Sequence, residues 1–326
     1  MYTFASQRGL SLIELMIGIL LGSILLLGVL QIFQSNSDTL RMQNGFSRVQ
    51  ESGRFAVDML SKEVRQAGFW GCAEAGNIKN SLGAPTTNFL SEIGTVIGVA
   101  GKNDVPTGAI VGEKEVVAKS DVLTLSGAED ACAGEGRMLN GTNPGDVIVS
   151  TSCPIDTKDN VIVSNCIAGH AFTVTGTSAV ADGKKINYGA GINFEEDYGA
   201  DSKILTPYQK TFFIAKSVSG SNSLFVHVEG DDKAQELIPG IEDMQISYGE
   251  DKMNDGIIDY WRSASSVNSM ASVTAIKIEL IVTSDSAAGV GAQTITRLDG
   301  TKKDYNDGLL RKLYVATVKV RNRGSM

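Results

Sequence analysis

The sequence predicts an α+β protein in which one long N-terminal helix, with a membrane half and an amphipathic half, packs on an elaborated antiparallel β-sheet head. Three observations carry this reading. Residues 10–33 read LSLIELMIGILLGSILLLGVLQIF, with a single charge at Glu14. Residues 34–67 then place Met42, Phe46, Val49, Gly53, Ala56, Leu60, Val64 and Ala67 at spacings of three and four, the period of one helix face. From residue 68 onward that period gives way to short runs rich in β-branched residues, separated by Gly- and Asn-containing turns, the pattern of strands.

Composition bounds the function. A chain of 326 residues, 42% hydrophobic and 20% charged, has room for a real core and is too apolar for disorder. A formal charge of −8 argues against bulk attraction to nucleic acid or anionic lipid. Only 2 His are present, which leaves little for the common catalytic and metal constellations. Cys72, Cys132, Cys153 and Cys166 are never spaced as CxxC; they suit disulfides in an oxidising compartment and allow three pairings. No P-loop, GxSxG, HExxH or GxGxxG occurs, so the chain is read as a non-enzyme with no recognisable means of hydrolysing ATP. A membrane-anchored periplasmic enzyme would need convergent titratable groups, and none stands out.

The first element is the apolar run. A helix over 10–33 spans roughly 36 Å, enough to cross a bilayer core with some tilt. A secretory signal would have a shorter apolar region ending at a small-residue cleavage site, whereas this one runs into QSNSDTLRMQ. Arg8 before the run, and Arg41 and Arg48 after it, leave the positive-inside count undecided. Glu14 is the anomaly, since a carboxylate inside a spanning helix is costly unless paired or interfacial.

The stretch QRGLSLIELMIGILLGSILLLG resembles the leader and first helix of type IV prepilins. The resemblance implies a leader over 1–9, cut by prepilin peptidase between Gly9 and Leu10, followed by N-methylation of Leu10. Leu10 stands where the family more often has Phe. Glu14 becomes the fifth mature residue. Its expected role is assembly: a new α-amine buried among apolar helices needs a counter-charge, and an acid one turn away supplies it. The family's architecture implies a membrane and filament-core helix over 10–33, continued by the amphipathic half over 34–67. On that half Arg41, Arg48, Glu51, Arg54, Asp58, Lys62 and Glu63 fill the other faces, and Gly68 or Gly71 is the expected stop.

The head, 68–326, carries all of the net negative charge, a solubility feature. Expected strands are 121–126, 146–151, 160–164, 171–175, 212–218, 224–228, 244–248, 273–282 and 313–320. FFIAKSV and SLFVHV form the clearest hairpin. Residues 76–110 and 182–202 read as loops. No repeat or linker separates a second domain, so one head is expected.

ELIPGIEDMQISYGEDKMNDGIIDYW at 236–261, LRKLYVATVKVRNR at 310–323 and SDVLTLSGA at 120–128 resemble segments of the PilW minor pilins. That resemblance implies a minor pilin joining a tip complex that primes pilus assembly. Its partners would be prepilin peptidase, other minor pilins, the major pilin and an inner-membrane assembly platform, with a separate cytoplasmic ATPase supplying energy. It also implies a single-pass inner-membrane protein with a periplasmic head, later carried to the pilus at the cell surface. The runner-up, a J-type minor pseudopilin of type II secretion, shares every one of these steps. A tip-located adhesive or DNA-binding pilin is the further alternative. The resemblance is better around Cys72 and Cys166, favouring a Cys72–Cys166 bond with Cys132–Cys153 as the second.

Two further patterns remain. Asp251, Asp255, Gly256 and Asp259 fit parts of a calcium loop, but Met253 and Arg262 fall where ligands are wanted. Calcium is the one cofactor for which the residues offer anything, and a solvated Asn-Asp-Gly turn explains them as well. Arg311, Lys312, Lys319, Arg321 and Arg323 read as a charge-protected edge strand, so no stable nucleic-acid binding is expected. His170 and His227 lie on or beside expected strands without ligand spacing.

Overall fold

The computed structural model describes residues 11–73, 75–82, 98–132, 134, 138–139, 145–181, 183–194 and 198–322. One helix, Leu12–Gln66, runs for 55 residues without a break. No proline precedes position 85, so nothing removes a ladder hydrogen bond along it. Its start is capped by Ser11, whose Oγ accepts from the Glu14 N–H at 3.3 Å. Ser-Leu-Ile-Glu is the capping-box spacing. Its end is marked by Gly68 at φ +75, a left-handed position that glycine adopts at little cost. There the Asn322 side-chain amide donates to the carbonyls of Gln66 and Ala67, at 3.3 and 3.1 Å.

The chain divides into two compact units, one of Met1–Gln50 with Ser284–Arg311 and one of Glu51–Thr283 with Lys312–Met326. In the first, the helix surface from Leu12 (77% exposed) to Phe33 (72% exposed) is apolar and open. Contact begins at Gly45, where an added Cβ would lie 3.2 Å from the Ala288 Cβ and 3.4 Å from the Ser284 Cβ. Arg48 pairs with Asp285 at 2.5 Å. Met42 and Phe46, expected on the buried stripe, are exposed. The segment that meets the helix lies close against Gly45, where a larger residue would press on Ala288 and Ser284. This segment carries the hairpin Gln293–Thr296 with Lys302–Tyr305. Arg311 then grips Asp307 through two bonds of 2.7 Å and stacks over the Tyr305 ring at 3.9 Å. The Arg311 fork, followed by the Leu309 N–H, pulls the Asp307 pKa down to about 2.

In the second unit the helix buries Gly53, Ala56, Leu60, Val64 and Ala67, one face at helical period. The main sheet has eight strands, with Lys203–Lys216 as its spine. One edge of that spine pairs with Val122–Asp130, from Leu205↔Asp130 to Phe212↔Leu123. Its other edge takes Asn160–Ser164 and then Asn222–Val228. A second sheet has the order Tyr260–Arg262, Ile241–Glu250, Val273–Thr283, Arg311–Lys319. A third joins Val147–Val149, Gly183–Asn187 and Gly176–Val180. Apolar cores form around Phe172, Val161 and Ile204, around Trp70, Ile162 and Leu205, and around Phe213 and Phe225.

Several expected boundaries shift. The strand expected at 212–218 occupies Lys203–Lys216 instead, and Val218 is 96% exposed in the turn. Its polar first half stays extended because neighbours hold it on both edges. Gly183–Asn187 falls inside the expected loop 182–202, while Ile78–Asn80 and Val99–Lys102 fall inside 76–110. Residues 83–97 of that loop lie outside the described residues. Glycine in these strands marks close packing rather than a loop. Gly101 lies directly under the Tyr248 hydroxyl, where a methyl would overlap it.

Two disulfides cross-link the second unit: Cys72–Cys166, 94 residues apart, and Cys132–Cys153, 21 apart. Asp121, buried, accepts from the backbone N–H of Asp104 and of Ile246, at 2.8 and 2.7 Å. It thereby ties the bend after Val99–Lys102 to the middle of Ile241–Glu250. Beside it burial, then the Asp121 charge, push the Tyr248 phenol above its ordinary pKa, and the hydroxyl has no hydrogen-bond partner among the described residues.

Three outcomes follow from this packing. A methyl on Gly53 would overlap the Tyr314 ring, so Gly53→Ala should cost about 1–3 kcal/mol in a denaturant melt. Adding Tyr314→Ala should return part of that loss. Opening the longer covalent loop with Cys72→Ser/Cys166→Ser should cost about 4–5 kcal/mol, against about 3 for Cys132→Ser/Cys153→Ser. Because the Tyr248 proton is held more tightly in the folded state, stability should fall as pH rises past the unfolded phenol's pKa near 10. Tyr248→Phe should flatten part of that alkaline loss without lowering the melting temperature at pH 7, since it removes an unpartnered buried hydroxyl.

Candidate functional site

The first candidate is the helix start. Glu14 sits exposed in the first helical turn, where the positive end of the helix dipole favours a carboxylate. Gly9 and Leu10, the expected processing residues, lie outside the described residues, as does Arg8. Beyond Glu14 the apolar side chains are exposed all round, a surface stable only in lipid or against other apolar helices. Gly18 and Gly22, four apart, have nothing within 4 Å of an added Cβ. They form a notch of the kind that lets helix backbones approach closely in a membrane. The sequence signal for it is the spacing of two glycines four apart within an apolar run.

The candidate cation loop takes a different form. Asp251 accepts from the N–H of Asp255 and of Gly256 at 3.2 and 2.9 Å. Asp259 accepts from the Lys252 N–H at 2.8 Å, and Asp255 from the Ile257 N–H at 2.9 Å. These carboxylates are spent on turning the chain and do not converge. Among the described residues no group of three or more His, Cys, Asp or Glu is placed to hold a metal ion. The histidines are likewise engaged: His170 Nδ1 faces the Tyr198 hydroxyl at 3.3 Å, and His227 Nε2 faces the Asp231 carbonyl at 2.9 Å.

The closing basic residues do not form one row. Arg311 is buried on Asp307, and Lys312 lies over the Tyr314 ring at 5.2 Å. Arg323 lies outside the described residues. Arg311–Lys319 is the end strand of its sheet, consistent with a charged edge.

Arg321 instead lines a pocket of about 400 Å³ with Arg65, Phe69, Glu129, Asp130, Tyr208, Lys210 and Asn322. Four separate stretches of chain meet here, so no local pattern in the sequence could have revealed it. Lys210 is already committed, pairing with Glu63 at 3.1 Å and lying over the Tyr208 ring at 4.7 Å. Asp130 accepts from the Cys132 N–H at 2.9 Å. Tyr208 is only 8% exposed. Burial first, then the charges of Glu63 and Glu129, raise its pKa, so its hydroxyl stays protonated as a donor.

Two family models match the chain. The Prokaryotic N-terminal methylation motif matches residues 4–30, and Type IV Pilus-assembly protein W matches residues 211–322. The second match takes in the last part of the long central strand, the Asp251 loop, the Gln293–Tyr305 hairpin and the closing strand. No curated protein matches significantly. A solved type IV-like pilin from Thermus thermophilus aligns over 85% of this chain and 98% of its own, at 13% identity and a TM-score of 0.37, too loose to support an argument. Carrying the methylation motif of type IV prepilins at one end and a PilW domain at the other, the chain resembles the PilW-type minor pilins.

Proposed function

We propose that this protein is a minor pilin that enters a type IV pilus and helps to initiate it, within a tip or priming complex. The observation that carries the reading is a helix with an all-round exposed apolar surface from Leu12 to Phe33, in a chain that also carries the methylation motif. In this reading prepilin peptidase cuts between Gly9 and Leu10 and Leu10 is N-methylated. The helix then leaves the inner membrane for the apolar bundle of the fibre. Desolvating the new amine there demands a counter-charge, which Glu14 supplies from the same or an adjacent chain. The head faces the periplasm, where its two disulfides are stable, and contributes surfaces for other pilins rather than catalysis. A J-type pseudopilin of type II secretion would work by the same steps with different partners.

The test is the N-terminal mass of the membrane-extracted protein together with its recovery in sheared fibres. The expected species begins at N-methylated Leu10. Removing one partner of a buried charge pair costs about 3–5 kcal/mol, so Glu14→Ala should reduce recovery in fibres by more than about a hundredfold while leaving processing intact. A chain retaining residues 1–9 in peptidase-competent cells would overturn the reading.

A further inference from the structure

We infer that the outer strand Gly176–Val180 is a docking edge for a second copy of this chain. The two strands pair antiparallel, so that two three-stranded sheets become one of six. The inference stands apart from the assembly reading, because it rests on residues that neither family match covers.

Gly176–Val180 reads GTSAV and lies at the end of its sheet, paired only with Gly183–Asn187. Along an antiparallel strand, alternate residues turn their N–H and C=O away from a single neighbour. Among the described residues nothing outside the hairpin hydrogen-bonds to Gly176–Val180. Thr177, Ser178, Ala179 and Val180 are all exposed, so the strand gains no burial on either face. Its form is held from the paired strand, where Ile186 is fully buried. There Lys185 pairs with Asp146, and Lys184 donates to the carbonyls of Cys153 and Ile155. The two lysines across from Ser178 and Ala179 are thus spent on other segments and do not guard the edge.

Open edges are ordinarily blunted by a charge, a proline or a covering segment. The other outer strands of the three larger sheets carry such a device: Lys79, Lys102, Pro239, Arg262 or Lys312. Val147–Val149 is buried and bridged through Ile148 to Leu139. Among these described edges, Gly176–Val180 alone has none. The occupant of such an edge is an extended strand whose own edge is open and which sets no like charge opposite another. The chain itself displays that strand. Antiparallel pairing about Ser178 sets Thr177 opposite Ala179, and Gly176 opposite Val180, of the second copy. Every facing side chain is then small and neutral, and one contact completes both edges at once, as a twofold interface requires.

The experiment uses the full chain, in detergent micelles and in cells, with Ser178→Cys as the probe. Cys72, Cys132, Cys153 and Cys166 are all in disulfides, so the variant adds one free thiol. Facing residues of an antiparallel pair lie about 4.5–5.5 Å apart between Cα atoms, within disulfide reach. Under mild oxidation Ser178→Cys should give a covalent dimer at a yield at least about tenfold above Ser219→Cys, which lies in an exposed turn. Adding Thr177→Lys/Ala179→Lys, or Thr177→Glu/Ala179→Glu, should lower that yield at least about tenfold, because like charges then stand opposite one another. Mixing the Lys and Glu variants should restore it. Thr177 and Ala179 are exposed, so each variant should keep its circular dichroism spectrum and melting temperature. Charged variants that crosslink as well as the parent would place the contact elsewhere and overturn the proposal, as would a loss that mixing does not restore. So would a Ser178→Cys yield no higher than that of Ser219→Cys, or an adduct in cells whose mass is not that of two copies. None of these failures touches the assembly reading, which is decided by the N-terminal mass.

Discussion

One constraint organises the chain: a single helix must serve two surroundings without a break. Between Leu12 and Phe33 it presents apolar side chains in every direction; between Gly53 and Ala67 it buries a single stripe. Each large apolar side chain left in water forgoes about 1.5–3 kcal/mol of burial, so the first part requires lipid or other helices around it. The second part requires a β structure that accepts small residues. Gly53 and Ala56 on the buried face reflect that demand, since the Tyr314 ring occupies the space a side chain at Gly53 would take. Continuity through the change is secured at the ends, by Ser11 at the start and by Gly68 and Asn322 at the finish.

The β structure that receives the second part is built around Lys203–Lys216. A 14-residue strand that changes neighbours on one edge while keeping Val122–Asp130 on the other joins regions far apart in sequence. The two disulfides and Asp121 reinforce the same kind of long-range connection. Pairings with large sequence separation carry a loop-closure cost, and a covalent link spanning 94 residues removes much of that freedom from the unfolded chain.

The helix was legible because its signals are local: an unbroken apolar run, a repeat of three and four, and a glycine at the end. Strands buried on both faces, such as Asn160–Ser164, were legible for the same reason. Lys203–Lys216 was half missed, since KILTPYQKT is polar and its extended form depends on partners rather than on its own residues. Gly183–Asn187 and Val99–Lys102 were hidden by glycines that read as turns but permit close approach. At the sites, the Asp251 loop resembled a cation loop because the same carboxylates that coordinate metals also cap turns. The pocket was illegible because it exists only where the helix end, two strands and the chain after the last strand meet.

The way polar groups are used bears on what the head can do. Catalytic groups are tuned toward the working pH. Here the strongly shifted phenols, Tyr208 and Tyr248, are both moved up and away from it, and Asp307 is moved down by an internal arginine. Each shift makes the group less able to exchange a proton near neutrality. Buried or partly buried carboxylates at Asp121, Asp251 and Asp259 hold backbone amides, and both histidines face fixed partners. Spent in this way, these groups hold the head's own backbone and strands in place.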